Sequence, residues 1–343
     1  MMKGLILCAG IGTRLQPFSF NHPKTLLPVV NKPVLVYGIE RLISAGITEI
    51  GIVINNSQQQ IMVDTIGYGE RWGVKLEFII QQKPLGIADA VRCSESFIGG
   101  DCFILLLGDN LFEDPLDELR STVEKKLARA CIRLVEVENP QDFGVAEIEN
   151  GVIIRLEEKP AVPKSKLAVV GAYAFDESIF LAIRSIMPSR RGEYEITDAI
   201  QWLIERGFEV SYTITKHHYS DVGSVNRWLE ANRWVMELAA GGQSVIAPDV
   251  HLRGCILHPP VVIDANCVLE DCEIGPYVSI QSGVRMKDCN IASSIVLKGA
   301  NLSGIPHVIR DSVFGEDVVV TGGTGNAAYK RYILGDKSVL GNS

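Results

Sequence analysis

The chain reads as α/β: a mainly parallel sheet with helices on both faces, followed by a parallel β-helix. Three observations predict this. Apolar runs of strand length alternate with helix-periodic segments up to about Glu237. The first run, Leu5-Ile6-Leu7, stops in a glycine-bearing turn, Ala9-Gly10-Ile11-Gly12-Thr13. Beyond Ser244 an apolar residue returns at every sixth position. A period of six suits neither an α-helix nor a lone amphipathic strand. It suits a coil in which each hexad forms one side of a triangle.

Taken in order, Pro33 to Ala45 is predicted helical, with Leu35, Ile39, Leu42 and Ile43 on one side. Proline fits its first turn and Gly46 its stop. Glu49 to Ile54 is a buried strand, and Ser57 is expected to cap the helix that follows. Lys75 to Ile80 is a strand and Ala88 to Glu95 a helix. Cys102 to Leu107 is a strongly apolar strand running into Gly108-Asp109-Asn110. In such a sheet ligands sit at the carboxyl ends of the strands, where both the Gly10–Arg14 turn and Asp109 fall.

From Ala128 the pattern changes. Ala130 to Val137, Gly144 to Ile148, Val152 to Leu156 and Ala168 to Phe175 are strands without long helices between them. They are expected to form an inserted, more antiparallel lobe. Two helices and a strand, Phe208 to Ile214, lead to Asp221, and Val222 to Leu238 is a long helix. Residues 239–244 are the predicted linker. The expected domains are therefore 1–238, and 245–343 with its tail. The apolar hexad runs through Val250, Ile256, Val262, Val268, Ile274, Ile280 and Met286. After a shift in phase it resumes at Val296, Leu302, Val308, Phe314 and Val320. The tail from Gly322 has no predicted place.

The 343 residues suffice for two domains, and 47% hydrophobic with 22% charged residues excludes a disordered chain. A net charge of −8 argues against a nucleic-acid partner, which calls for a basic surface. An anionic substrate must then be held by local basic residues. The eight cysteines form no CxxC pair and no zinc spacing, and they read as reduced, buried small hydrophobes. No segment reaches membrane length, and the N-terminal apolar run is too short for a signal peptide. A cytoplasmic protein with no membrane partner is expected.

Glycines after a strand let backbone N–H groups converge on an anion. Arg14 follows the turn at once and Lys24 ten residues later, adding charge where a polyphosphate would sit. A dinucleotide fingerprint would need a third glycine where Leu15 stands, and a P-loop would need Lys-Ser or Lys-Thr after Gly12. What remains is Gly10-Ile11-Gly12-Thr13-Arg14-Leu15 with a downstream Pro23-Lys24-Thr25-Leu26-Leu27-Pro28-Val29. That combination resembles the signature of the sugar-1-phosphate nucleotidylyltransferases, nearest to the thymidylyltransferase branch in its long form. The resemblance is dense over residues 3–225 and architectural over 245–320. It implies a Rossmann-like, mainly parallel nucleotidyltransferase domain followed by a left-handed β-helix of hexapeptide repeats.

The reaction so implied joins a nucleoside triphosphate to a sugar-1-phosphate and releases pyrophosphate. Positioning and electrostatics are its main tools, and no covalent enzyme intermediate is needed. By resemblance Arg14 contacts the triphosphate and Lys24 bridges the reacting phosphates. As a bare loop residue, Lys24 would be merely solvated. Leu7, Ala9, Gly10, Gly12 and Thr13 line the nucleotide. Gln81, five residues before Gly86, matches the amide that pairs with a pyrimidine edge, with Gln82 as the neighbouring alternative. Glu158 and Lys159 match the sugar-side motif, the first for hydroxyls and the second for the phosphate. As a charge run they would be a solvated strand end. Gly144, Gly171 and Glu195 match the same pocket, whereas Thr197 and Asp198 could serve only as helix caps. Asp109 and Asp221 are the implied Mg²⁺ ligands. Read blandly, Asp109 is a turn residue and Asp221 caps the helix from Val222.

Ala9-Gly10 stands where thymidylyl members often carry Gly-Gly, and Tyr219 where a tryptophan is usual. A UTP-dependent enzyme acting on glucose-1-phosphate or N-acetylglucosamine-1-phosphate is therefore the alternative. An acyltransferase site on the β-helix would need a histidine, of which His251, His258 and His307 are available. A silent regulatory subunit would lack Arg14, Lys24 or Asp109, and all three are present. The β-helix is expected to serve assembly into a homo-oligomer, not catalysis.

Overall fold

The computed structural model describes residues 2–322 and 328–341. Its chain packs as two compact units. One holds Met1–Gly10 with Leu35–Tyr219, the other Ile11–Val34 with Ser220–Ser343. The division follows packing, not chain order, because residues 11–34 belong with the C-terminal part.

The first unit is built on strand β1 (Met2–Leu7), helix α1 (Val34–Ser44), β2 (Glu49–Ile54), α2 (Gln59–Ile66), β3 (Lys75–Ile80), α3 (Ile87–Cys93) and β4 (Cys102–Leu107). β1 pairs in parallel with β2 on one side and β4 on the other, and β2 pairs in parallel with β3. Leu5, Ile6, Ile52, Ile104 and Leu105 are fully buried, as expected for strands covered on both faces. Leu35, Ile39 and Leu42 of α1 are likewise sealed. Asn55 and Gln58 form the capping box before α2, while Ser57 only donates to the Asn55 side chain. The expected cap was two residues late, because a single 3-10 turn, Asn56–Gln58, precedes the helix.

Next come α4 (Asp117–Glu124), β5 (Ala130–Glu136), β6 (Gly144–Glu149), β7 (Val152–Glu158), β8 (Leu167–Phe175), α5 (Ser178–Ser185), α6 (Ile196–Glu205) and β9 (Val210–Ile214). These strands form no separate lobe. β8 runs antiparallel to β4 and also pairs with β5 and β6, so one nine-stranded sheet continues through the unit. Val169, Tyr173 and Phe175 of β8 join the core that also holds Leu5, Phe103 and Ile200.

In the second unit, helix α7 (Val225–Ala240) is capped by Ser224, whose hydroxyl accepts the Arg227 N–H. It starts three residues after the expected Val222, so Asp221 is not its cap. From Val245 the chain winds through three parallel sheets, the architecture of a left-handed β-helix. Ile274, Ile280, Met286, Leu302, Phe314 and Val320 point inward as the hexad predicts. The strict period of six fails elsewhere. Val245 pairs with Val262 and Val262 with Ser279, a coil of 17 residues. Ser279 pairs with Ile295, Ile295 with Val313 and Val313 with Ile333, coils of 16, 18 and 20. Inward positions therefore drift: Ile263, Leu269 and Ile309 are buried, whereas Ile256 is 60% exposed. The corners absorb the variation. Gly254, Asp271, Asp288 and Gly304 stack there with positive φ, which glycine and aspartate adopt at low cost. The tail left unplaced beyond Gly322 adds Tyr329–Lys330, Ile333–Leu334 and Val339–Gly341 to the same sheets, and residues 323–327 lie outside the described residues.

All eight cysteines are free thiols. Cys93, Cys102 and Cys255 are half-buried, not sealed as expected.

Candidate active site

In the first unit, β1 and β4 end side by side. Gly108 N–H donates to Leu7 O at 3.0 Å, so Asp109 follows directly beside the start of the Ala9-Gly10 turn. Its neighbour Asn110 is buried, and accepts from the Tyr219 hydroxyl at 3.2 Å. Asn110 packs on Gly171 so closely that any Cβ there would collide with its amide. Tyr219, noted only as a departure from a pattern, is thus bonded to Asn110.

Gln81 follows β3 directly and is 4% exposed. Its Nε2 donates to Asp89 Oδ2 at 2.8 Å and to Gly86 O at 3.2 Å. Asp89 is buried and also bound by Arg92. A carboxylate and a carbonyl both demand a donor, which fixes which end of the amide is nitrogen. Gly86 has φ +105°, and a Cβ would lie 2.5 Å from Tyr194 O. Only glycine permits this close approach. Gln82 is exposed and shares none of these contacts.

The sugar-side residues form one network. Glu158 ends β7, and its Oε2 accepts from Thr197 Oγ1 at 3.1 Å. Its Oε1 lies 3.4 Å from Arg191 Nη1 and 3.9 Å from Lys159 Nζ. Glu195, 4% exposed, accepts from Ser189 Oγ at 2.8 Å and faces Arg191 at 3.5 Å. Burial raises the Glu158 pKa, and the Glu195 charge raises it further, against the pull of Lys159, Thr197 and Arg191. A Cβ on Gly144 would sit 2.5 Å from Thr197 Cγ2 and 3.2 Å from Glu158 Oε2. Thr197 is therefore no cap but a partner of Glu158; Glu195 holds the cap position of α6. Arg191 was visible only as part of a charged block. Lys159 has φ 42°, and its N–H donates to Phe143 O at 2.9 Å.

In the second unit, Gly12 (φ +71°) packs on the Lys24 stem, with a Cβ there 3.0 Å from the Lys24 Cβ. The 3-10 turn Thr13–Leu15 leaves Thr13 and Arg14 exposed while Leu15 is buried. Asp221 and Arg14 both border Gly223: a Cβ there would be 2.7 Å from Asp221 Oδ2 and 3.4 Å from Arg14 Nη2. Asp221 Oδ1 is bound by Arg227 Nη1. Gly223 and Arg227 were not expected at the site; the Asp-Val-Gly run carried the only signal for the former.

Among the described residues no three His, Cys, Asp or Glu side chains gather as a ready-made metal cage. His307 is buried with Nε2 2.7 Å from the Tyr332 hydroxyl, and His258 Nε2 lies 2.8 Å from Glu273. Both histidines thus have partners within the coil.

The profile of the nucleotidyl transferase family matches residues 3–237. Over 353 aligned residues the chain is 40% identical to a glucose-1-phosphate thymidylyltransferase of Streptomyces griseus, with 98% of each chain covered. Among solved structures, one from Bacillus anthracis, provisionally assigned as a glucose-1-phosphate thymidylyltransferase and in complex with a sucrose, has TM-score 0.65 and 36% identity. It covers 68% of this chain and 95% of its own. A UDP-glucose pyrophosphorylase complexed with UDP-glucose has TM-score 0.62 and 27% identity, over 69% of this chain and 100% of its own. With the family profile spanning the whole α/β part and a relative matched from end to end, the chain belongs to the nucleotidyl transferase family and is a nucleotidyltransferase.

Proposed function

We propose that the protein transfers the thymidylyl group of dTTP to glucose-1-phosphate, giving dTDP-glucose and pyrophosphate. The observation that carries this is the end-to-end match to the Streptomyces griseus enzyme. A sugar-phosphate oxygen forms the new bond to the α-phosphorus, and the bond from that phosphorus to the β-phosphate's bridging oxygen breaks as pyrophosphate leaves. Arg14 holds the triphosphate and then the pyrophosphate. Lys24 bridges the two reacting phosphates and neutralises charge as it builds. Lys159 holds the sugar phosphate, and Glu158, steadied by Thr197, accepts from sugar hydroxyls. Leu7, Ala9, Gly10, Gly12 and Thr13 line the nucleotide, and Gly144, Gly171 and Glu195 the sugar pocket. In chain order these residues fall within 1–238, ahead of the link at 239–244 and the β-helix of 245–343.

Gln81 supports a pyrimidine. Both amide hydrogens are spent on Asp89 and Gly86. Its Oε1 remains as an acceptor, and N3–H of thymine or uracil is a donor.

Asp109 and Asp221 are the residues we assign to Mg²⁺. The donor set fits: hard carboxylate oxygens, with Asp221 Oδ2 turned to the space that a Gly223 side chain would fill. Mg²⁺ takes one or two carboxylates and completes its shell with phosphates and water, so no three-residue cage is needed. When bound it supplies charge neutralisation at the phosphates. No helix among the described residues is long and apolar enough to cross a membrane. We infer a cytoplasmic homo-oligomer.

A second reading, UTP in place of dTTP, is favoured by the free Gln81 acceptor, which serves both bases. Pyrophosphate release measured over dTTP, UTP, ATP, GTP and CTP, each with several sugar-1-phosphates, decides. The highest kcat/KM is expected for dTTP with glucose-1-phosphate; an equal or higher value with UTP overturns the thymidylyl assignment.

A further inference from the structure

Residues 11–34 carry Arg14 and Lys24 on single 3-10 turns, Thr13–Leu15, Phe18–Phe20 and Lys24–Leu26, with two two-residue strands beyond them. Such a segment is held by what it packs on, because it has few hydrogen bonds of its own. Its supports come from the far end of the chain, within the same compact unit. Asn21 Nδ2 donates to Asp336 Oδ2 at 3.0 Å, and His22 Nε2 lies 3.4 Å from the same oxygen. The Asp336 side chain is 5% exposed, and its other oxygen accepts the Glu316 N–H at 2.9 Å. One residue earlier, Gly335 presses on Pro17, where a Cβ would stand 2.8 Å from the proline Cβ. Asn31 Nδ2 donates to Ile280 O at 2.8 Å. Val30 N–H donates to Asn232 Oδ1, which also accepts from Ser279 of the same β-helix sheet as Ile280. Trp228 Nε1 donates to Pro28 O, and its ring meets Phe18 edge-on.

We propose that the β-helix is part of the catalytic apparatus, its late coil clamping residues 11–34 through Asp336 and Asn21 so that Arg14 and Lys24 are held where the phosphates react. Asp336 and Asn21 are then positioning residues. The inference rests on the roles assigned above to Arg14 and Lys24. It departs from the expectation that the β-helix serves assembly alone. The physical reason is that a transfer step relying on charge placement is sensitive to displacements on the order of 1 Å. A loop whose internal bonds are confined to single turns and one two-residue pairing resists such displacements only weakly by itself.

The two oxygens of Asp336 separate the clamp from the coil's own folding. Asp336→Asn keeps Oδ1 for the Glu316 N–H and turns an amide donor on Asn21 and His22. Asn21→Ala breaks the same contact from the loop side. Hydrogen exchange on the full-length protein should rise across residues 11–34 in both variants and stay at the wild-type level in β2 and in the sheets of the β-helix. In turnover, kcat should fall about tenfold while KM for the sugar phosphate moves less than about twofold. The swapped pair, Asp336→Asn with Asn21→Asp, restores donor to acceptor and should recover most of the loss. In a Lys24→Ala background Asp336→Asn should cost less than it does alone, since part of its effect runs through Lys24.

Unchanged exchange over 11–34 in both single variants overturns the clamp. Raised exchange with wild-type kcat overturns its catalytic meaning, as does a full tenfold loss that persists in the Lys24→Ala background. If the wild-type protein transfers no nucleotide at all, the functional reading is what fails, and the exchange data alone still decide whether the clamp exists.

Discussion

Lys159 and Lys24 are both assigned to phosphates, yet the chain holds them by different means. Lys159 sits at the end of β7, its N–H bound to Phe143 O and its carboxylate neighbour tied to Thr197. Every partner lies within about forty positions of it in the sequence. Lys24 rides a loop whose supports, Trp228, Asn232, Ile280 and Asp336, stand some 200 to 315 positions away. The first lysine is set by neighbours in a sheet, the second by a remote coil. A local network would tune the affinity for the one ligand assigned to it, whereas a braced loop would govern the geometry in which two ligands meet.

Five substitutions test that contrast. The largest effect is expected at the metal carboxylates. Asp109→Asn should lower kcat at least about a hundredfold, or about 2.7 kcal/mol of transition-state stabilisation. Asp221→Asn should fall in the same direction, and the double variant should lose less than the two combined, since both act through one ion. Near-wild-type rates at sub-saturating Mg²⁺, with unchanged metal dependence, would return either residue to a purely structural role. Lys24→Ala comes next, with kcat down by roughly a hundredfold and both KM values within a few-fold.

Lys159→Ala should show the opposite split. KM for the sugar phosphate is expected to rise about tenfold while kcat and KM for the triphosphate stay within about threefold. If steady-state kinetics gave the same pattern for both lysines, the contrast between the two regions would collapse.

The smallest effect concerns protonation. The folded state raises the Glu158 pKa, chiefly by burial and then through Glu195. Ionising Glu158 therefore opposes folding: this contribution favours the fold below the ordinary glutamate range and is lost as pH rises through the folded-state value. A protonated Glu158 has less capacity to accept from sugar hydroxyls. The acid limb of kcat/KM for the sugar phosphate should thus lie above the range of an ordinary glutamate. Thr197→Val removes a hydrogen bond that holds this pKa down, so the limb should shift to still higher pH, with a loss of about threefold on that limb. A pH profile that does not move would free Thr197 from any part in binding.

What could be read from the sequence follows the same divide. The strands Glu49–Ile54, Lys75–Ile80 and Cys102–Leu107 were legible to the residue, because each is a short run rich in apolar residues. The antiparallel strands were legible as strands, but their membership of the same sheet was not, since pairing partners leave no mark in local pattern. Gln81, Glu158 and Asp109 stood out through motif and spacing. The tie of Thr197 to Glu158 joins residues 39 apart, and that of Tyr219 to Asn110 joins residues 109 apart, so neither could be heard locally. The hexad announced the β-helix but misplaced Ile256, which is exposed, and Val308, whose inward place Ile309 takes. Hydrogen bonding between coils fixes strand against strand, and the corners are free to lengthen.

The contact between Asn21 and Asp336 spans 315 positions, and a ribosome makes its two halves at different times. At about 5–20 residues per second, the N-terminal partner emerges roughly 15–60 s before its acceptor. The sheet strands of the first unit can pair during that interval, while the loop bearing Arg14 and Lys24 must wait. Nascent chains halted after β9 but before Asp336 would therefore carry a formed sheet and an unset phosphate loop. In this protein full competence for transfer would wait for the coil that carries Asp336.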